Sequence, residues 1–181
     1  MSYSISKVAI VGLGLLGGSW VKGLREVNPT WHITGFDRNA DSMGKAQALG
    51  VIDAFADNLE QVVAGADLVI LSVPILANRE ILRQIKPFLG SRTVVTDVGS
   101  VKGSVAEDIR QVFGEDQPNF VLGHPIAGSE KSGIEAADAN LFRNHKVILT
   151  PLTVTDDSAV ALVSDLWKPV GAKIEIMQVE H

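Results

Sequence analysis

Short apolar runs alternate with longer amphipathic stretches from one end of the chain to the other. Residues 7–11 form a β-branched run closed by Gly12, and residues 15–27 follow with helical spacing. Residues 31–36 read as a second strand and 40–49 as a second helix, with Gly50 as its terminating glycine. Residues 52–55 read as a weaker third strand, and 59–64 as a short helix. The run over 67–73 is apolar nearly throughout, the mark of a parallel strand covered on both faces, and Pro74 stops it. Within 77–88, Ile81, Leu82, Ile85 and Phe88 or Leu89 recur at helical spacing. Residues 93–96 predict a fifth strand and 101–113 a fifth helix. Residues 120–123, 146–150 and 173–177 predict three more strands, with a helix over 156–167 between the last two.

Strict alternation of strand and helix calls for an α/β domain. Its sheet is open, doubly wound and mainly parallel, with seven or eight strands and helices on both faces. One such domain spans residues 1–181, with no linker and no internal repeat. Residues 114–119 read as a surface loop. The long irregular segment over 125–136 is glycine-rich, and long irregular loops in compact domains are often functional.

Composition narrows the chemistry. A net charge of −5 gives no basic face for nucleic acid. The absence of cysteine excludes disulfides, thiolate catalysis and a Cys-based metal site, and no metal site of any kind is expected. No apolar run reaches membrane-spanning length, and the first strand starts too early to leave room for a signal peptide. A soluble cytoplasmic protein acting on a small molecule is the expectation.

Gly12-Leu13-Gly14-Leu15-Leu16-Gly17 fits G-x-G-x-x-G between a strand and a helix, the setting a dinucleotide-binding turn requires. Gly12 would make the tight turn, Gly14 would admit a pyrophosphate, and Gly17, with Gly18, would let the helix pack close to the sheet. The helix N-terminus would hold the anion. Asp37 follows the second strand, 20 residues after Gly17 (37 − 17), where an acidic residue bonds the ribose hydroxyls. It would repel the 2′-phosphate of NADP, so NAD is the expected cofactor. Arg38 pulls the other way, since an arginine there can hold that phosphate or stack on adenine. Asp37 also suits a turn or a helix cap. Ser72, Val73 and Pro74, at the end of the fourth strand, would lie beside the nicotinamide ribose, or simply end the strand. These features describe a Rossmann-type fold.

Two further segments leave strand ends: residues 97–102 (DVGSVK) and 123–133 (GHPIAGSEKSG). Ser100 suits a helix N-cap, a site role, or both. His124 is the one histidine expected at a strand end facing the cleft. Ser129, Glu130 and Lys131 are candidates to meet an anionic substrate, and Glu130 with Lys131 also reads as a solvated loop pair. Lys102 and Lys131 are the two cations expected near such a substrate.

Taken together, G-x-G-x-x-G-G-S, D-V-G-S-V-K and G-H-P-I-A-G-S-E-K-S-G resemble the motifs of prephenate and arogenate dehydrogenases, over essentially the whole chain. Some relatives carry Met where this chain has Ile126. The resemblance implies a fold related to the 6-phosphogluconate dehydrogenase-like cofactor domains. It implies an NAD-dependent oxidative decarboxylation in tyrosine biosynthesis, with prephenate and arogenate both open as substrate. His124 would contact the substrate's ring hydroxyl and Ser100 would support it. The resemblance also implies a C-terminal helical domain, absent from this chain, that makes a homodimer and supplies an arginine for a substrate carboxylate. His181 is not assumed to belong to the family's His-Asp pair near that junction. The alternatives are a β-hydroxyacid-type dehydrogenase of the same cofactor fold and a non-catalytic NAD-binding module.

Overall fold

A computed structural model describes residues 3–99, 102–128 and 130–177. The strands are β1 (Lys7–Val11), β2 (His32–Phe36), β3 (Ala54–Phe55), β4 (Leu68–Leu71), β5 (Val94–Asp97), β6 (Phe120–Pro125), β7 (Lys146–Thr150) and β8 (Lys173–Ile176). The helices are α1 (Leu15–Val27), α2 (Ala40–Ala48), α3 (Leu59–Val63), α4 (Asn78–Ile85), α5 (Lys102–Phe113) and α6 (Asp157–Trp167). The eight strands form one sheet in the order β3-β2-β1-β4-β5-β6-β7-β8. The first six in this order are parallel, β7 runs antiparallel to β6, and β8 is parallel to β7. The expected doubly wound, mainly parallel α/β sheet is therefore the observed one.

The central strands read as unbroken apolar runs because each face meets a layer of helices. Alternate residues point to opposite faces. Val8 and Ile10 of β1 with Leu68 and Ile70 of β4 enter one core, which includes Trp20, Phe142 and Trp167. Ala9 and Val11 with Val69 and Leu71 enter the other, under α3, α4 and α5. In the first core, Trp20 of α1 stacks on Trp167 of α6 with centroids 3.8 Å apart, and Phe142 meets Trp167 edge-on at 4.9 Å. Truncating a tryptophan there to alanine costs about 3–5 kcal/mol.

Three departures from the sequence reading have plain causes. The strand expected over 67–73 contracts to β4 because Asp67 turns its carboxylate onto the N–H groups of Ser6 and Lys7, each at 2.9 Å. The helix expected over 77–88 keeps only α4 as α-helix, with a 3-10 turn at each end. Pro87 lacks the N–H that would continue it. The strand expected to end at Gly123 continues as β6 to Pro125, because β7 pairs with residues 122–125. Between β6 and β7 the chain has a 3-10 turn at Ile134–Ala136 instead of a crossover helix, so β7 enters from the opposite end and runs antiparallel.

Candidate functional site

The strand order reverses between β1 and β4. From β1 the chain winds outward through β2 and β3; from β4 it winds the other way. Helices on opposite faces leave a crevice beyond the carboxyl ends of these two strands, the place where open α/β sheets bind ligands. A cavity of about 460 Å³ occupies it. Gly12, Leu13, Gly14, Leu15 and Leu16 line one side, and Ser72, Val73 and Pro74 line the other, with Asp37 and Arg38 at the end of β2. Ala77, Ile81, Val98 and Gly99 complete the wall. A second cavity of about 280 Å³ extends the groove toward β5, sharing Leu16, Val73, Pro74, Val98 and Gly99.

Each glycine of the loop does a different job. Gly12 has φ +95°, and a Cβ there would lie 2.1 Å from the Ser72 carbonyl oxygen, so the strand ends touch through it. Gly14 is the extended N-cap of α1, and a Cβ there would meet no protein atom within 4 Å. That open space above the backbone is what a pyrophosphate needs. Helix α1 has no side-chain cap, so its first N–H groups remain for an anion. Gly17, the last glycine of the dinucleotide motif, does not line the cavity. A Cβ there would strike the Ser72 side chain at 2.5 Å, so Gly17 serves the close packing of α1 on the sheet.

Asp37 is tied into the loop. One carboxylate oxygen accepts the N–H of Leu13 at 2.8 Å, and the other accepts the N–H of Asn39 at 2.8 Å. The cap of α2 is Asn39, which accepts the N–H of Asp41, so Asp37 is a turn residue facing the cavity and not the helix cap. Arg38 is exposed at the same rim. The cavity thus offers an open glycine turn, an uncapped helix N-terminus and a carboxylate at the second strand, a set that fits an adenine dinucleotide.

The other half of the groove is built on β5, β6 and the start of α5. Parallel pairing of β5 with β6 stops at Thr96↔Val121. Beyond it, side chains replace the ladder. Asp97 accepts the N–H of Gly123 at 3.0 Å and the N–H of Gly99 at 3.0 Å. The Lys102 ammonium donates to the Asp97 carboxylate and, at 2.5 Å, to the Gly123 carbonyl. Both partners are desolvated, with side-chain exposures of 10% for Lys102 and 6% for Asp97. His124 follows in β6, opposite Ile148 of β7, and is half-buried. Burial pushes its pKa below the ordinary 6.5, the Lys102 charge pushes the same way, and Asp97 partly opposes them. Burial likewise lowers the pKa of Lys102, against the pull of Asp97. His124 does not line either cavity of the groove. Glu130 and Lys131 are exposed. Ser100, Ser129 and His181 lie outside the described residues.

The family pattern described as prephenate dehydrogenase, nucleotide-binding domain, matches residues 21–176. The chain belongs to this family. Cyclohexadienyl dehydrogenase of Zymomonas mobilis is 35% identical over 176 residues, covering 96% of this chain and 59% of that protein. Among solved structures, prephenate dehydrogenase from A. aeolicus in complex with hydroxyphenyl propionate and NAD+ superposes with a TM-score of 0.89 at 41% identity, over 99% of this chain and 62% of that one. Synechocystis arogenate dehydrogenase gives a TM-score of 0.85 at 32% identity, over 95% of this chain and 59% of that one. The chain therefore spans about three fifths of the length of these relatives.

Within this prephenate dehydrogenase domain, one cation has partners that the sequence did not indicate. Lys102, expected near an anionic substrate, donates to Asp97 and to the Gly123 carbonyl. Asp97 had no assigned role. The available signal was an acidic residue closing an apolar strand with a lysine five residues on, where the charge pair has to be satisfied internally. The anchoring of the segment after β6 was also missed. Ser19 of α1, fully buried, accepts the N–H of Asp138 at 2.9 Å, and a Cβ on Gly18 would reach Ile134 at 2.5 Å. The G-G-S that closes the glycine motif thus seats that segment on the phosphate helix. No helix among the described residues is long and apolar enough to cross a membrane, and no three His, Asp or Glu residues among them converge as a metal site.

Proposed function

We propose that this chain is the NAD-binding half of a dehydrogenase that oxidatively decarboxylates prephenate, to 4-hydroxyphenylpyruvate, or arogenate, to tyrosine, in tyrosine biosynthesis. The observation that carries this reading is the cavity at the β1/β4 divide, walled by an open glycine turn and Asp37, in a chain of the prephenate dehydrogenase family. A relative 41% identical holds NAD+ together with an aromatic acid.

In this reading the backbone at Gly14 and the first turn of α1 hold the pyrophosphate, Asp37 takes the adenosine ribose hydroxyls, and Ser72–Pro74 lie beside the nicotinamide ribose. NAD supplies the hydride acceptor when bound. The protein's own work is to orient the ring and move one proton. Neutral His124 accepts the proton of the ring hydroxyl as that oxygen gains carbonyl character, and its lowered pKa keeps the imidazole ready to accept. Ser100 holds the same hydroxyl or the imidazole. Ser129, Glu130 and Lys131 lie on the segment assigned to the substrate side. The remaining cationic contacts, and the homodimer interface, come from a helical domain beyond these residues.

The test is NADH formation with prephenate, arogenate and β-hydroxyacids in turn, on the protein carrying this chain together with its helical domain. Turnover confined to the cyclohexadienols supports the assignment, and comparable rates with β-hydroxyacids would transfer it to the rival dehydrogenase class. NAD binding with no turnover on any of them would leave a binding module.

A further inference from the structure

Where β5 and β6 separate, the chain faces a structural problem. Their ladder ends at Thr96↔Val121, three residues before the residue assigned as proton acceptor is reached. Past that point the inner edge of β6 would have a free N–H and a free carbonyl at Gly123. The structure closes both with one ion pair. Asp97 takes the N–H at 3.0 Å, and Lys102 takes the carbonyl at 2.5 Å while also donating to Asp97. The carbonyl belongs to the peptide bond that joins Gly123 to His124, so the ammonium holds the plane from which His124 departs. The approach is close. A Cβ on Gly123 would lie 2.8 Å from the Asp97 carbonyl oxygen, so only glycine lets the pair reach this peptide. On the opposite edge β7 pairs His124 with Ile148.

We propose that Lys102 is a positioning residue for His124: clamped on Asp97 and on the Gly123 carbonyl, it fixes the strand end that presents the imidazole. This rests on the assignment of His124 made above. Lys102 is then not a substrate ligand, and it lines neither cavity of the groove. The pair is deeply desolvated, which makes its geometry hard to relax, and truncating one partner leaves the other charge buried. The same ammonium acts on His124 through space. Among the described residues, the charges that act on the ring are Lys102 of α5 and Asp97 of β5, while β7 sets the apolar Ile148 opposite His124. Lys102 favours the neutral imidazole, the form needed to accept a proton.

The experiment follows His124 directly. In protein labelled with 13C-histidine, its ring signal is assigned by its loss in H124N and titrated against pH in wild type, K102M and K102R. K102M is expected to move the His124 midpoint to higher pH, and K102R, which keeps the cation, to leave it near the wild-type position. NAD affinity is expected to be unchanged in both. In the protein with its helical domain, K102M turnover is expected to fall roughly 10- to 100-fold, the cost of a slightly misplaced catalytic group, with the acid limb of the rate profile displaced upward. The double variant D97N/K102M removes the buried unpaired carboxylate and stands in where K102M fails to fold. An unmoved His124 midpoint in a folded K102M overturns the proposal. So does a raised KM for the substrate with kcat and midpoint intact, which would make Lys102 a substrate ligand. Unfolding of both methionine variants would reduce the pair to structural support and also overturn it. Because the titration needs no turnover, absence of dehydrogenase activity in the wild type would sink the assigned reaction without touching this result.

Discussion

The carboxylate of Asp37 accepts the backbone N–H of Leu13 at 2.8 Å, joining the end of β2 to the glycine turn after β1. One side chain therefore shapes the loop and, in the proposed site, recognises the ribose. Both roles use the carboxylate as a charged acceptor, whose hydrogen bonds are worth about 1.5–3 kcal/mol each. Asp37→Ser is expected to weaken NAD binding roughly 10- to 100-fold and to shift preference toward NADP, with Arg38 then free of an opposing charge. Calorimetry with both cofactors checks it. Tighter binding of NADP than NAD by the wild type would show that Arg38 outweighs Asp37.

The two outer faces of the glycine turn predict opposite outcomes for the same substitution. Gly12→Ala meets a backbone oxygen at 2.1 Å in a left-handed conformation, and is expected to destabilise the fold by about 3 kcal/mol or more. Gly14→Ala meets nothing, and is expected to melt like the wild type while losing NAD affinity at least ~10-fold, because its methyl occupies the approach to the helix N-terminus. Melting curves and NAD titrations on the pair separate the cases. A Gly14→Ala variant that binds NAD normally would remove the pyrophosphate from this turn.

Loss of the imidazole is expected to act on chemistry and not on cofactor binding. His124→Asn should depress turnover by roughly 10²- to 10⁴-fold with NAD affinity nearly unchanged. The pH dependence follows from the direction of its shift. Burial and the Lys102 charge depress the folded pKa below 6.5, so the neutral acceptor persists below the ordinary histidine range. Activity should hold as pH falls through 6.5 and decline only at lower pH, when His124 protonates. A kcat/KM profile whose acid limb lies at or above 6.5 would contradict this.

This chain is expected to bind NAD on its own while forming NADH from prephenate or arogenate far more slowly than a protein that also carries the proposed helical domain. The cofactor cavity is walled within this chain, but Lys102, one of two cations expected for a dianionic substrate, is held by Asp97. An open groove also admits water, which screens charge and weakens orientation. Parallel assays of the two forms decide it, and equal rates would mean the catalytic site is already complete.

Much of the fold was legible because periodicity alone defines it. Helix α1 and strands β1 and β7 fall on the residues their patterns indicate, since glycine ends β1 and a full apolar stripe defines α1. Boundaries slipped where a side chain or a ring intervened: at Asp67, which leaves β4 to hold Ser6 and Lys7, and at Pro87, which ends α4. The cofactor half of the site was legible because a dinucleotide turn is contiguous in sequence. The clamp beyond β5 and β6 was not, because Asp97, Lys102 and Gly123 meet only where two strands diverge.

What the sequence determined by itself is therefore local: the order of strands and helices, the glycine turn with an acidic residue 20 positions on, and the motifs that mark the family. These are set by side-chain spacing and by backbone freedom over a few residues. The tertiary structure alone decided that β7 runs antiparallel, that the close contact of Gly17 is with Ser72, that Ser19 anchors Asp138, and that Lys102 serves Gly123. Each depends on which groups remain unsatisfied after the sheet has assembled. A buried N–H, carbonyl or charge is costly to leave alone, and its partner is whichever group the packed chain brings within reach.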